Sequence, residues 1–420
     1  MKKNLLLSLS VFILLISYTS CDNSWMYKSA NADFVEAVKP KRTIKTFEHL
    51  KEPLVVSFPV YETFYFVGDQ NNGVRAKREG DVITVIDIET DSVYDWIFFP
   101  GHREVSLYFE RLVETGSNPT RYLMSTMQPA SVAILDPQKN TLSVSETGIR
   151  IDDNIRGYKL YGTKVPLYYS KTDEKSGKWN YRIKLFDIST NKMSDKDIIV
   201  STPESDCYIG SDYFRSDSEG NLWISYSSYQ NEYISKIDTN SEKLESPFVT
   251  FESHNARSKS FNNDYGESFD IKYVSDDYIF AGCYPNGFVS YGVWVYVVNR
   301  QTGEKIEIAL DVDNDHQYIE NVFMVNDSYY AVVPYTGYAK NSKGINIYKI
   351  NLDTKSAEKE VFIPFEMTEK SFVRGDRIYF MNSINTSELS YTCYDTVTKQ
   401  QVKVVRFSAE QIINTKAGEK

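Results

Sequence analysis

Short runs of alternating apolar and polar residues begin near Leu54 and continue to Phe407. Alternation at period two puts every second side chain on one face, so the pattern predicts β-strands half-buried against a core. The runs end repeatedly in the same way, with Asp or Asn and a short polar turn before the next run. The turn residue is Asp87, Asp136, Asp187, Asp238, Asn299, Asn351 and then Asp395, at intervals of 49, 51, 51, 61, 52 and 44 residues. Asp and Asn suit a hairpin because their side chains accept hydrogen bonds from backbone N–H groups two or three positions on. A second turn, leading into an aromatic strand, precedes each later hairpin by about twenty residues: Asp217–Trp223, Ser275–Phe280, Val325–Tyr330 and Arg374–Phe380.

Four short strands in about fifty residues, repeated around an axis, make the blade of a β-propeller. The fold class expected is all-β, a single β-propeller of seven four-stranded blades over residues 51–410. Six blades are the alternative, with one hairpin then belonging to a closing strand. A strand such as Leu54–Phe58 is expected to pair with the last blade, because a radial array otherwise leaves an open edge. A two-sheet sandwich would not produce evenly phased turns, and no apolar pattern of helical period and length follows residue 50.

Composition agrees with strands: aromatics are 14% of the chain, with 32 Tyr and 23 Phe. The net charge of −10, without a basic block, excludes nucleic acid as the natural partner, since phosphate neutralisation supplies most of that affinity. The N-terminus is of another kind. Lys2 and Lys3 precede an apolar run from Leu5 to Ile16 broken only by Ser8 and Ser10. That run is too short to cross ~30 Å of hydrocarbon and reads as a signal peptide. Ser17-Tyr18-Thr19-Ser20-Cys21 then resembles a bacterial lipobox, with Tyr18 where Leu is usual. The resemblance implies removal of residues 1–20, diacylglycerol on Cys21, and a tether over 21–50. Acyl chains at ~0.8 kcal/mol per buried CH₂ would make the membrane the first partner. The expected address is the bacterial cell envelope, at the outer membrane. Asp22-Asn23-Ser24 lacks the dense acidic run associated with surface export, which favours the periplasmic face. Residues 411–420 read as a C-terminal tail.

Asp217-Ser218-Glu219-Gly220-Asn221-Leu222-Trp223 resembles the turn of NHL and gluconolactonase-like propeller repeats. Together with the lipobox, it makes the chain similar to the TolB-like propeller lipoproteins of Bacteroidetes. That group is usually six-bladed, whereas seven hairpins stand here. A gluconolactonase-like site would need carboxylate and Asn ligands around the axis, and none of these is assignable residue by residue.

The Asp/Asn turns are short and uniform, whereas the second-to-third-strand and inter-blade loops share the opposite rim and are long and varied. The long segments are Gly68–Asp81, Ser170–Lys178, Glu252–Ser268, Tyr284–Gly292 and Tyr335–Gly344. Variable loops on a rigid scaffold are where binding concentrates. The candidate binding residues there are Trp179, His254, Arg257, Tyr284, Asn286, Tyr335 and Tyr338, with aromatic rings to stack on a sugar or peptide and polar neighbours to orient it. Asp311, Asp313 and Asp315 begin like a calcium loop, but His316 replaces the turn Gly and Val322 replaces the terminal Glu. No cofactor is expected, with calcium at those carboxylates the alternative. His-Glu-x-x-His, Gly-x-Ser-x-Gly and the phosphate-cradling Gly-rich motif are absent. Cys207, Cys283 and Cys393 are odd in number and lack a Cys-x-x-Cys pair, so buried thiols are expected, with one Cys207–Cys283 or Cys283–Cys393 bridge as the alternative. The preferred reading is an envelope lipoprotein whose propeller binds a protein, peptide or glycan. The competing reading is a metal-dependent hydrolase or lyase with its site at the propeller axis.

Overall fold

The computed structural model describes residues 50, 53–62, 77–100, 107–114, 120–126, 131–136, 141–146, 163–172, 179–202, 207, 209, 214–228, 230–253, 267–285, 292–312, 317–336, 343–365, 370–382 and 388–413. These form an all-β, propeller-like architecture of antiparallel sheets, each built from consecutive strands. The first sheet contains β1 (Pro53–Glu62), β2 (Lys77–Asp87) and β3 (Ser92–Pro100); the second contains β4 (Leu107–Glu114), β5 (Thr120–Thr126), β6 (Ser131–Asp136) and β7 (Thr141–Glu146). The third has β8 (Lys164–Thr172), β9 (Trp179–Asp187), β10 (Lys192–Met193) and β11 (Ile198–Val200). The fourth has β12 (Phe214–Ser216), β13 (Leu222–Ser227), β14 (Asn231–Asp238), β15 (Lys243–Leu244) and β16 (Val249–Glu252). The fifth runs through β17 (Glu267–Val274), β18 (Tyr278–Pro285), β19 (Val293–Asn299) and β20 (Lys305–Leu310). The sixth is β21 (Asn321–Val325), β22 (Ser328–Thr336), β23 (Lys343–Asn351) and β24 (Ser356–Ile363). The seventh is β25 (Lys370–Arg374), β26 (Arg377–Asn382), β27 (Glu388–Asp395) and β28 (Gln400–Ser408), followed by a short helix, α1 (Ala409–Ile413).

The hairpin chemistry expected from the repeat is present at six of its seven turns; the turn after Asp136 lies outside the described residues. Asp87 Oδ1 accepts from Glu89 N at 3.0 Å, and Asp238 Oδ1 from Asn240 N at 2.8 Å. Asn299 Oδ1 accepts from Gln301 N and Thr302 N, both at 2.9 Å. Asp187, Asn351 and Asp395 cap their turns in the same way. Four residues beyond the cap, each of these turns swings into the left-handed region, at Asp91, Asn191, Glu242, Gly303, Lys355 and Lys399. One turn geometry therefore recurs with different residues at its strained position.

Departures from four uniform strands have local causes. The outer strand of the third sheet breaks at Ser194, whose hydroxyl accepts Leu185 N at 3.0 Å and dislodges the ladder. The outer strand of the fourth breaks at Ser246-Pro247, where proline has no N–H to give. The first sheet holds three strands among the described residues.

Cores lie between neighbouring sheets. Ile224, Phe186 and Val165 join the third to the fourth; Ile234, Ile279 and Tyr296 join the fourth to the fifth. Val295, Ile319 and Tyr348 join the fifth to the sixth, and Val332, Ile347 and Phe380 the sixth to the seventh. The seventh sheet packs against the first through Leu54, Val56, Val82, Tyr379, Leu389 and Cys393. Here one expectation is corrected. β1 pairs with β2, not with the last sheet, because β27 already has β28 as its outer partner. The two ends of the chain meet face to face instead. Lys403 Nζ donates to Ile88 O at 2.8 Å and pairs with Asp91, Tyr391 Oη donates to Asp91 at 2.6 Å, and the ammonium lies over the Tyr379 and Tyr391 rings. Ile412 of α1 is fully buried in the same core, so the packed structure runs beyond residue 410. No disulfide links Cys207, Cys283 and Cys393; burial pushes the Cys207 thiol up to about 12. Among the described residues no helix is long and apolar enough to cross a membrane.

Candidate binding face

The two ends of the sheets differ in how they are held. One end carries the Asp/Asn turns and, beside them, the turns joining the first and second strands of a sheet. Arg300 N donates to Asp277 O at 2.7 Å, and Thr396 N to Asp376 O at 3.0 Å, which ties the two turn types together within a sheet. Further bonds cross between sheets: Lys164 Nζ to Thr239 O at 2.6 Å, Ser218 Oγ to Asp276 at 2.6 Å, and Lys355 to Glu304 at 3.0 Å.

Asp217 organises the tightest part of this end. Gly220, at φ 84°, turns the chain back so that the buried carboxylate accepts from Asn221 N at 2.9 Å, Trp223 Nε1 at 3.1 Å and Arg300 Nη2 at 2.7 Å. The Arg300 guanidinium also lies 5.3 Å from the Trp223 ring centroid, linking the fourth and fifth sheets. Burial alone would raise the Asp217 carboxyl; the hydrogen bonds from Asn221 and Trp223 and the charge of Arg300 outweigh it and hold the pKa low. The motif singled out in the sequence is thus a structural clamp.

The inner strands carry a second polar group. Lys272 and Asp270 on β17 form a fully buried ion pair at 3.3 Å, and Arg215 Nε on β12 donates to Lys272 O at 3.1 Å. Gly282 admits it, since a Cβ there would stand 3.3 Å from Lys272 Cε and 3.0 Å from Ile319 Cβ. Farther round, Ser371 Oγ on β25 donates to Glu320, which immediately precedes β21, at 3.0 Å. These pairs neutralise and hydrogen-bond groups that burial would otherwise penalise. Among the described residues no three His, Cys, Asp or Glu side chains gather as a metal site.

The opposite end receives the connections β1–β2, β8–β9, β18–β19 and β22–β23. Trp179 opens β9, Tyr284 stands near the end of β18 and Tyr335 near the end of β22, so three candidates share this rim on three sheets. Strand pairing reaches further into the loops than expected: Lys77–Asp81, Ser170–Thr172, Tyr284–Pro285 and Lys343–Gly344 are strand. His254, Arg257, Asn286, Tyr338, Asp313, Asp315 and Cys21 lie outside the described residues, and Asp311 is exposed just beyond β20.

Residues that sequence reading passed over give this rim its form. Trp294 folds back over Gly292, which adopts φ +100°. On the sixth sheet Tyr335 meets Phe362 edge to face at 6.0 Å, and the Phe362 ring rests on Gly344, where a Cβ would stand 2.3 Å from it. Phe362 is 40% exposed; Asn346, its cross-strand neighbour, is fully buried. Alternation along β24 put Phe362 on a face, but only tertiary packing left it open.

No family model matches the chain, and no curated protein matches it. Solved structures do. A puromycin-hydrolysing peptidase from Mycobacterium tuberculosis aligns at TM-score 0.50 and 9% identity, over 90% of this chain and 55% of that one. A protein from Bacteroides uniformis designated a 6-phosphogluconolactonase gives 0.48 and 12% identity, over 86% and 96%. An ulvan lyase of polysaccharide lyase family 25 gives 0.45 and 11%, over 71% and 83%. At these identities the likeness is one of β-propeller-like fold alone.

Proposed function

We propose that this protein is a cell-envelope lipoprotein, anchored through Cys21, whose closed ring of seven blades binds an extracytoplasmic partner through the long-loop rim. The observation that carries this reading is the unequal treatment of the two ends. The Asp/Asn-turn end spends its polar groups on itself and on neighbouring sheets, through Asp217–Arg300, Lys164–Thr239 and Lys355–Glu304. The other end presents Tyr335 and the open ring of Phe362 on rigid strands. A rigid scaffold with aromatic side chains on one rim suits recognition, because rings bury apolar area at small entropic cost. Seven sheets in chain order, the last packed on the first, support the ring count.

Anchoring and recognition are tested separately. Cys21→Ser is expected to move the protein from washed membranes into the soluble fraction, since the ~0.8 kcal/mol per buried CH₂ of the acyl chains is lost; retention on membranes stripped of protein partners would refute the anchor. Hydrogen exchange with a bound ligand is expected to protect the Tyr284, Tyr335 and Phe362 rim. Protection confined to the turns at Asp87, Asp187, Asp238 and Asn299 would show the working face to be the other one.

A further inference from the structure

The proposed binding rim contains one place where recognition chemistry is already assembled. Tyr335 pairs with Gly344, and one step deeper Val333, Asn346 and Phe362 stand side by side across β22, β23 and β24. These five positions share the face of the sixth sheet that meets the fifth, because Val333 and Tyr348 belong to the core between those two sheets. Gly344 leaves room above Asn346 for the Phe362 ring, and Tyr335 meets that ring at an interplanar angle of 88°. Beneath it, the Asn346 side chain is 0% exposed, and neither its Nδ2 nor its Oδ1 is hydrogen-bonded among the described residues. A second buried amide, Gln317, is equally unbonded. It lies on the connection between the same two sheets, two residues before Ile319 of their shared core.

A buried amide without a partner weakens a fold, and an apolar residue of similar size would serve packing better. We infer that Asn346, covered by the Phe362–Tyr335 pair, is the polar floor of a subsite for a neutral pyranose ring of a glycan. This deepens the binding-rim reading and rests on it. The chemistry selects the ligand class in three ways. A side-chain amide offers a donor and an acceptor side by side, which matches two adjacent sugar hydroxyls. An exposed ring beside a second aromatic stacks the apolar face of a hexose. Among the described residues, none of the other four positions of this cluster is charged, which favours a neutral sugar over an acidic or basic one. A peptide adding as a strand would bond backbone edges and leave the buried Asn346 amide unpartnered, so the amide favours a sugar. Phe362, two-fifths exposed and resting on a residue without a side chain, is the element that moves to admit the sugar.

The test uses the detergent-solubilised full chain and a panel of neutral α- and β-linked hexose oligosaccharides, with one uronic-acid oligosaccharide and one extended peptide beside them. At least one neutral oligosaccharide is expected to bind, and Phe362→Ala and Asn346→Leu are each expected to weaken it at least about tenfold. Asn346→Leu is also expected to raise the thermal midpoint by about 2 °C or more, since it replaces an unsatisfied amide with packing. A lowered midpoint would mean the amide is satisfied within the fold and would overturn the subsite. Sugar binding that survives both substitutions would place recognition elsewhere on the rim, sinking this subsite but not the rim. Binding of the peptide or the uronic-acid probe alone overturns the sugar assignment. No binding by any probe overturns the sugar subsite and leaves the rim itself to the hydrogen-exchange test.

Discussion

At the scale of single residues, two features of the turn end have measurable consequences. Asp217 is held below its ordinary pKa, so the unfolded chain binds its proton more readily than the folded protein does. Its stabilisation is therefore present above the unfolded value of 3.8 and is lost as pH falls through the depressed folded value. Asp217→Asn should cost about 2–3 kcal/mol at neutral pH and progressively less in acid. Urea midpoints measured for both proteins across the acid range check this; parallel curves would deny the carboxylate its role. The recurring left-handed position makes the second test. Gly303 has open space around it, so Gly303→Ala should cost about 1 kcal/mol through backbone strain alone. Glu242→Gly, at φ 54° in the equivalent place, should be neutral or stabilising by up to about 1 kcal/mol. Calorimetry of the two variants gives the signs. Asp217 and the capping residues were legible because a side-chain acceptor, a glycine and a following apolar run are all local in sequence. Asn346 was not, because its fate depends on which face of β23 the fifth sheet covers.

At the scale of elements, alternation located the strands well, and it located least well those whose partners are distant in sequence. β18 and β19 pair from Tyr278–Asn299 to Cys283–Trp294, as period-two patterning of both runs demands. β1 shows the opposite case. Its run fits either a closing strand or a member of the first sheet, and the choice is made by β28 occupying the outer edge of β27. The clasp of Lys403 with Asp91, Ile88 and Tyr391 then does the work that a shared strand was expected to do. Lys403→Met should lower stability by about 1–2 kcal/mol, since it takes the counter-charge from Asp91 and the donor from Ile88 O and removes the ammonium from two rings. The loss should appear as an earlier unfolding of the whole β signal in circular dichroism. Separate early melting of one sheet would show that the seam does not couple the ends.

For the whole molecule, removal of β28 and α1 by truncation after residue 399 takes away Lys403 and Ile412 together and opens the face of the first sheet. The expected outcome is loss of cooperative folding along the entire chain, not fraying of its end, because each sheet is stabilised by the neighbours it packs against. A truncated protein that keeps a native-like melting transition would contradict a closed ring. The all-β class, the spacing of the repeat and the capped turns were legible in the chain, since these rest on side-chain alternation and on hydrogen bonds within a few residues; the αL positions were not, because residues as different as Asp, Glu, Gly and Lys occupy them. Packing between sheets settles how the first and last sheets meet, that the Asp217 motif clamps Arg300 of the next sheet, and that Phe362 stays open beside a buried Asn346. The first two outcomes depend on contacts between sheets some eighty to three hundred residues apart in the chain, and period-two patterning fixes the face of a strand without fixing what will cover it.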